Sequence, residues 1–372
     1  MAVRGAAGPA SAVVLAVYVS GHGFGHATRT AEVLAAVRAL RPELPITVMT
    51  SAPGALFDGL GASLRALQCD VGLAQQGALV IDLEATVAAC AAFDARWPAL
   101  VAEEARWLAA SGASLVLADI PPLAFAAASA AGVPAVGCAN FSWDWIYAGV
   151  AHGREELVAA AARAAEAYGR AELLLELPFA GDLAAFPRRQ RIPMVARHPR
   201  VARGEARARL GLEEARPVVL LSFGGLGLPG FDRGVLAPLE TRFRFVDASD
   251  VPADRLRALG LVYPDVVGAS DVVVTKPGYG IVTDAIAAGA RVVYTDRGAF
   301  PEYDVMVREM AGYLPTEYVR GDDLRAGRLG AALDAVLARP DIVPPPTNGA
   351  EVAAAAVVER LPSRPSSRAA PC

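Results

Sequence analysis

The stretch Ser20-Gly21-His22-Gly23-Phe24-Gly25-His26-Ala27-Thr28-Arg29 decides the fold of this chain. An apolar run over residues 12–19 leads into it, and an Ala- and Leu-rich helical pattern over 27–40 leads out. A buried strand, a glycine turn and a helix in that order open a doubly wound nucleotide-binding domain. Glycines let the backbone turn sharply and come close to a ligand. The unpaired N–H groups of the helix start favour an anion or an oxyanion. The next strand, Ile46–Thr50, is followed by Ser51-Ala52-Pro53-Gly54, without the acid that holds a dinucleotide ribose. An NAD-dependent dehydrogenase is thereby disfavoured, and the two histidines point to chemistry in the loop itself.

Outward from this loop, short apolar runs alternate with helical stretches along the whole chain. In the first half, strands are expected at 12–19, 46–50, 114–118, 134–138 and 172–176, with a weaker unit around 63–67. Helices are expected at 27–40, 83–110 with a break at Pro98, 123–131 and 155–168. Residues 178–211 interrupt the rhythm with prolines and Arg188, Arg189, Arg191, Arg197, Arg200 and Arg203. This stretch reads as a solvated connector or as an anion-attracting rim. The rhythm then restarts, with strands at 217–222, 243–246, 272–275 and 291–294, and helices at 253–259, 280–288, 301–310, 323–338 and 350–360.

This alternation predicts an α/β chain with two Rossmann-like, doubly wound parallel-sheet domains and a cleft between them. The expected divisions are a first domain over 1–180, a linker over 181–211 and a second domain over 212–345. A C-terminal helix over 346–361 and a disordered tail over 362–372 complete it. Facing domains of this kind bring both sets of carboxyl-end loops to one crevice.

Composition narrows the function. The chain has 372 residues, 54% hydrophobic and 20% charged, enough for two packed cores. A formal net charge of -4 does not suggest nucleic-acid binding. Cys69, Cys90, Cys138 and Cys372 form no CxxC pair, so free thiols in a reducing cytoplasm are expected rather than disulfides or zinc. The apolar run at 11–19 is far shorter than the ~20 residues of a membrane span. A transmembrane segment is therefore not expected, which leaves room for a peripheral membrane contact.

The loops carry the candidate chemistry. His26 stands where an imidazole can take a proton from a hydroxyl near neutral pH, and His22 either shapes the loop or meets donor phosphates. Asp119 ends the strand at 114–118 and can bond the distal ring nitrogen of His26; its alternative role is a helix N-cap. In the second half, Phe223-Gly224-Gly225 and Thr275-Lys276-Pro277-Gly278-Tyr279-Gly280 each follow a strand directly. The latter opens a helix whose N–H groups can hold a diphosphate, and Asp284 one turn later can reach ribose hydroxyls. Phe141, Trp143, Trp145 and Tyr147 suit either stacking on an acceptor or plain core packing.

With these motifs the chain resembles the GT-B glycosyltransferases, of the MurG-like group and the wider UDP-glycosyltransferase superfamily. It is most similar to the glycosyltransferase-like N-terminal region of plant L-arabinokinases. The resemblance rests on residues 21–29, on Asn140-Phe141-Ser142-Trp143-Asp144-Trp145-Ile146-Tyr147 and on residues 276–289, and runs over about residues 12–360. It implies a GT-B fold and a hexosyltransferase with no cofactor. The sugar would pass from a nucleotide-diphosphate donor, UDP by resemblance, with inversion and without a metal. The acceptor would be a sugar, a lipid or a small molecule. His26 matches the base and Asp119 its acidic partner. Gly224, Gly225, Lys276, Gly278, Tyr279, Gly280, Asp284, Arg297 and Glu302 match the donor side. His22, Arg29, Asn140, Trp143 and Asp144 match the acceptor side of the cleft. Sugar-kinase activity is not implied, because the downstream kinase domain of the plant enzymes is unmatched. A nucleotide-sugar epimerase or hydrolase, and a non-catalytic nucleotide-sugar binder, fit the same residues.

Overall fold

The computed structural model describes residues 13–76, 80–212, 215–224 and 230–362. Gly225 and the expected tail from residue 363 onward lie outside the described residues. The first half comprises β1 Val14–Val19, α1 Phe24–Leu40, β2 Ile46–Thr50, β3 Ser63–Ala66, β4 Gln75–Gln76, β5 Val80–Ile81, α2 Leu83–Ser111, β6 Ala113–Asp119, α3 Pro122–Ala131, β7 Ala135–Ala139, α4 Trp143–Val150, α5 Glu155–Tyr168, β8 Leu173–Glu176 and β9 Arg189–Arg191. The second comprises α6 Arg203–Leu210, β10 Val218–Ser222, β11 Arg244–Asp247, α7 Ala253–Ala258, α8 Tyr263–Ala269, β12 Val272–Thr275, α9 Tyr279–Ala288, β13 Arg291–Tyr294, α10 Pro301–Met310, β14 Thr316–Tyr318, α11 Gly321–Arg325, α12 Gly330–Ala338 and α13 Gly349–Arg360.

The strands form two parallel sheets, ordered β3-β2-β1-β6-β7-β8-β9 and β11-β10-β12-β13-β14. In each, the chain reverses its winding direction beside the first strand. The switch falls between β1 and β6 in one sheet and between β10 and β12 in the other. Loops leaving the carboxyl ends of these strands diverge there and leave a crevice. His26 follows β1, Asp119 ends β6, Gly224 follows β10 and Lys276 follows β12. Strand order alone thus delivers the candidate residues of each lobe to one point.

Between β1 and α1 the chain must reverse sharply, and Gly23 does so at φ +80°, where a side chain is strained. Helix α1 then buries His26, Ala27, Arg29, Thr30, Val33, Leu34 and Val37, one face at helical spacing. Its first turns carry the polar members of that face to the crevice. The later ones pack with Ala353, Ala354 and Val357, so α13 returns from the second half onto the first.

Several expectations need correction. Helix α2 runs through Pro98 without ending; its packing against α3 outweighs one lost backbone bond. The helix expected over 323–338 is two, α11 and α12, interrupted at Gly327 with φ +72°. The connector contains β9 and α6. Strand β9 is exposed and polar, so no apolar run announces it, yet it pairs with the free edge of β8. Helices α4 and α8 and strand β14 are further elements that periodicity did not reveal. Among the described residues, no helix is long and apolar enough to cross a membrane.

The α13 start leaves no room for a side chain: a Cβ on Gly349 would lie 2.1 Å from the Pro193 carbonyl oxygen. Gly349→Ala is expected to cost about 1–3 kcal/mol in urea unfolding. An unchanged midpoint would contradict this seating of α13.

Candidate active site

Parallel pairing places Val19 opposite Asp119, and the Ser20 N–H donates to the Asp119 carbonyl at 2.8 Å. The first histidine loop therefore starts level with the end of β6. In the first turn of α1, His26 Nδ1 lies 2.8 Å from Asp119 Oδ1. Arg29 completes the group from the same helix face: Nη2 donates to Asp119 Oδ1 at 2.6 Å and Nε to Oδ2 at 2.8 Å. Thr30 Oγ1 donates to Oδ2 at 3.1 Å, and Arg29 Nη1 donates to Asn140 Oδ1 at 2.8 Å.

All five residues are buried, His26 to 6% exposure and Asp119 to 2%. Burial by itself would raise the Asp119 carboxyl, but Arg29 and His26 outweigh it and hold the group down at about 2. Asp119 is thus an anion under all ordinary conditions, and the Arg29 guanidinium remains charged beside it. The His26 ring packs edge-on against Phe141 at 5.3 Å between centroids.

Three residues matched to the acceptor side, Arg29, Asn140 and Trp143, are buried in the first lobe, and His22 is half-buried against Trp143. Arg29 and Asn140 are spent on the Asp119 network. Trp143 is 1% exposed, stacks with Tyr147 and donates Nε1 to Asp70 at 2.8 Å. His22 packs edge-on against Trp143, and its Nε2 lies 3.2 Å from the Gln75 amide nitrogen. Asp144, in the first turn of α4, remains half-buried with Oδ1 unpartnered among the described residues. The aromatic motif is thus largely core, because α4 turns its apolar face onto α5.

Asp70 is a buried acid beside this cluster that motif reading did not single out. Burial raises its carboxyl, opposed by the Ser20 hydroxyl, His26 and the Trp143 N–H. Its one mark in the sequence is position, just past the strand β3 segment.

The second lobe meets this group closely. A Cβ on Gly280 would lie 4.0 Å from the Gly25 Cα, so the start of α9 abuts the histidine loop. Gly278 caps α9, and Arg297 Nη1 donates to the Pro277 carbonyl at 3.1 Å. The Arg297 guanidinium also lies 4.7 Å from the Phe300 ring centroid, with Glu302 3.8 Å away. Burial, followed by the Arg297 charge, lowers the Lys276 ammonium to about 8. Burial and the charges of His26, Arg297 and Lys276 push His22 down to about 3. Lys276 and Arg297 of the second lobe therefore lie beside a neutral His22.

Tyr279 lies between the lobes. Its hydroxyl accepts the Val195 N–H at 3.3 Å, and Arg29 sits 4.7 Å from its ring centroid. Asp284, buried to 1%, is clasped by Arg197 of the connector, whose Nε donates to Oδ2 at 3.1 Å. Gly224 is exposed at φ +75° after β10. Among the described residues no group of three or more His, Cys, Asp or Glu could hold a metal ion. Cys69, Cys90 and Cys138 are free and buried.

No protein-family model matches the chain. It is 32% identical over 364 residues to L-arabinokinase of Arabidopsis thaliana, a match covering 92% of this chain and 34% of that protein. The chain thus spans about a third of the length of the curated relative it matches. Among solved structures, the glycosyltransferase of kitacinnamycin matches with a TM-score of 0.63 at 17% identity, over 94% of this chain and all of that one. The UDP-glucosyltransferase of Polygonum tinctorium that glucosylates indoxyl matches at 0.59 and 14% identity, over 95% and 94% of the two chains. The calicheamicin glycosyltransferase CalG4 matches at 0.58 and 15% identity, over 94% and 95%. The fold is GT-B, the two-lobed architecture of these glycosyltransferases.

The Asp119 carboxyl, held at about 2 against an ordinary 3.8, contributes stability that is complete above pH 3.8 and lost as pH falls towards 2. Asp119→Asn leaves the buried Arg29 without its counter-ion and is expected to cost about 3–5 kcal/mol near neutral pH. In chemical unfolding, the gap to the wild type should shrink in that acid window. A pH-independent gap would contradict the charge pairing.

Proposed function

We propose that this chain is an inverting glycosyltransferase that moves a hexose-type sugar from a UDP-linked donor to an acceptor hydroxyl without a metal. The observation that carries the proposal is the Asp119-held His26, set against a helix start flanked by Lys276 and Arg297. A base on one lobe and an anion cradle on the other are the two parts that direct displacement at an anomeric carbon requires.

In the proposed step, the acceptor oxygen attacks the anomeric carbon while its proton passes to His26 Nε2. The bond from that carbon to the diphosphate oxygen breaks, and its electron pair leaves with the nucleoside diphosphate. Attack and departure on opposite faces invert the centre. Asp119 orients the imidazole and stabilises the imidazolium that forms. The growing phosphate charge meets the N–H groups at Gly278–Gly280 and the Lys276 and Arg297 cations, aimed there before the reaction begins. These groups supply the compensating charge, so turnover is expected to persist in EDTA. The donor ribose is assigned to Asp284, which would share its carboxylate with Arg197. The acceptor must reach an imidazole that is only 6% exposed, so the lobes have to part to admit it.

UDP and UDP-hexoses should stabilise the protein in thermal shift more than AMP or NAD does. Comparable shifts from all would remove the donor assignment. His26→Ala should keep UDP binding while transfer falls about 10²–10⁴-fold; full-rate transfer by the variant would remove the base.

Lys276 binds a diphosphate in its charged form, which the free protein holds below about pH 8. UDP affinity by calorimetry should therefore weaken as pH rises through 8, by at most about tenfold per unit for one linked proton. Lys276→Met should flatten that slope, and an equal slope in the variant would exclude Lys276 from the cradle.

A further inference from the structure

Asp119 is arranged in a way that a base and its acidic partner alone do not require. A carboxylate bonded only to an imidazole turns easily, because its terminal torsion is soft. Here the Arg29 fork takes both oxygens, Nη2 on Oδ1 and Nε on Oδ2, and Thr30 adds a second donor to Oδ2. The fork is itself fixed at Nη1 by Asn140 and covered by the Tyr279 ring. The side chains of Arg29 and Asp119 are 4% and 2% exposed, so neither can contact a substrate at the surface.

The same guanidinium places a decision on His26. Its Nη2 lies 3.2 Å from His26 Nδ1, while Asp119 Oδ1 lies 2.8 Å from that nitrogen. If Nδ1 carries the proton, it donates to Oδ1 and leaves the Nε2 lone pair bare. If Nδ1 is bare, it accepts from Arg29, and Nε2 holds the proton and cannot take another. The outcome depends on whether Oδ1 stays in line with the ring, and the fork sets the plane of that carboxylate.

We propose that Arg29 is a positioning residue: it locks the Asp119 carboxylate in plane with the imidazole and so keeps His26 in the Nδ1–H tautomer. This rests on the assignment of His26 as the base. A lysine would keep the charge but offers no planar fork, so Arg29→Lys separates geometry from charge.

The test is nitrogen NMR of the full chain labelled at its four histidines, with His26→Gln identifying the relevant signals. The wild type should show a single Nδ1–H tautomer at His26 in the neutral ring. Arg29→Lys, folded by circular dichroism, should show both tautomers. Its turnover of a UDP-hexose should fall on the order of 10²-fold in kcat with donor KM unchanged. A single Nδ1–H tautomer in Arg29→Lys would overturn the proposal while leaving the base untouched. An Nε2–H tautomer in the wild type would overturn it without any variant, should Arg29→Lys fail to fold. A wild type without turnover, but with the expected tautomers, would strike the transferase assignment alone.

Discussion

A carboxylate with 2% of its surface in contact with solvent must be neutralised and fully hydrogen-bonded, and Asp119 imposes that requirement on everything around it. Its donors come from two turns of α1, while Asn140 at the end of β7 anchors the arginine that supplies two of them. The carboxyl ends of β1, β6 and β7 and the start of α1 are thereby tied at one point. The parallel register of β1 with β6 is what makes the point exist, because it sets the end of one strand level with the end of the other. Hydrophobic packing holds the lobes as bodies, but the orientation of the first helix turn follows from this one charge.

The second lobe supplies the opposite electrostatic problem. Lys276, Arg297 and the open end of α9 gather positive character beside His22, and the group that concedes is the one that can do so by losing a proton. Burial is the main cause of both shifts, and the neighbouring cations add to it, a setting that a bound anion would relieve. The excess is local, since the whole chain carries a formal net charge of -4. Tyr279 joins the two problems, with its ring against Arg29 and its hydroxyl on the connector at Val195. Helix α13 adds a second tie by crossing back onto α1, so the lobes are linked at the site and behind it.

The α/β class, the two-lobed plan and nearly every buried strand were legible in the sequence, because buried parallel strands are short apolar runs that need only their own residues to be recognised. The glycine loops were legible too, since a sharp turn between strand and helix demands particular residues at particular places. Strand β9 and helix α4 were not. Arg189-Gln190-Arg191 pairs only because β8 offers it an edge, and the aromatic residues of 141–147 suit acceptor stacking and core packing equally until α5 is seen to cover the apolar face of α4. The placement of α13 depends on an opening between Pro193, Met194 and α1 that is assembled from distant segments.

At the site the division is the same. His26 and Asp119 were marked by position, one opening a helix after the first strand and one closing a later strand. That they approach to 2.8 Å follows from the strand order, which no local pattern states. The chain by itself determined which residue types stand at the ends of its strands. Only the tertiary structure decided that Arg29 turns inward to Asp119, that Trp143 is spent on Asp70 and that Asp284 is clasped by Arg197. A long polar side chain has no fixed partner until burial removes water as the alternative, and burial is a property of the folded whole.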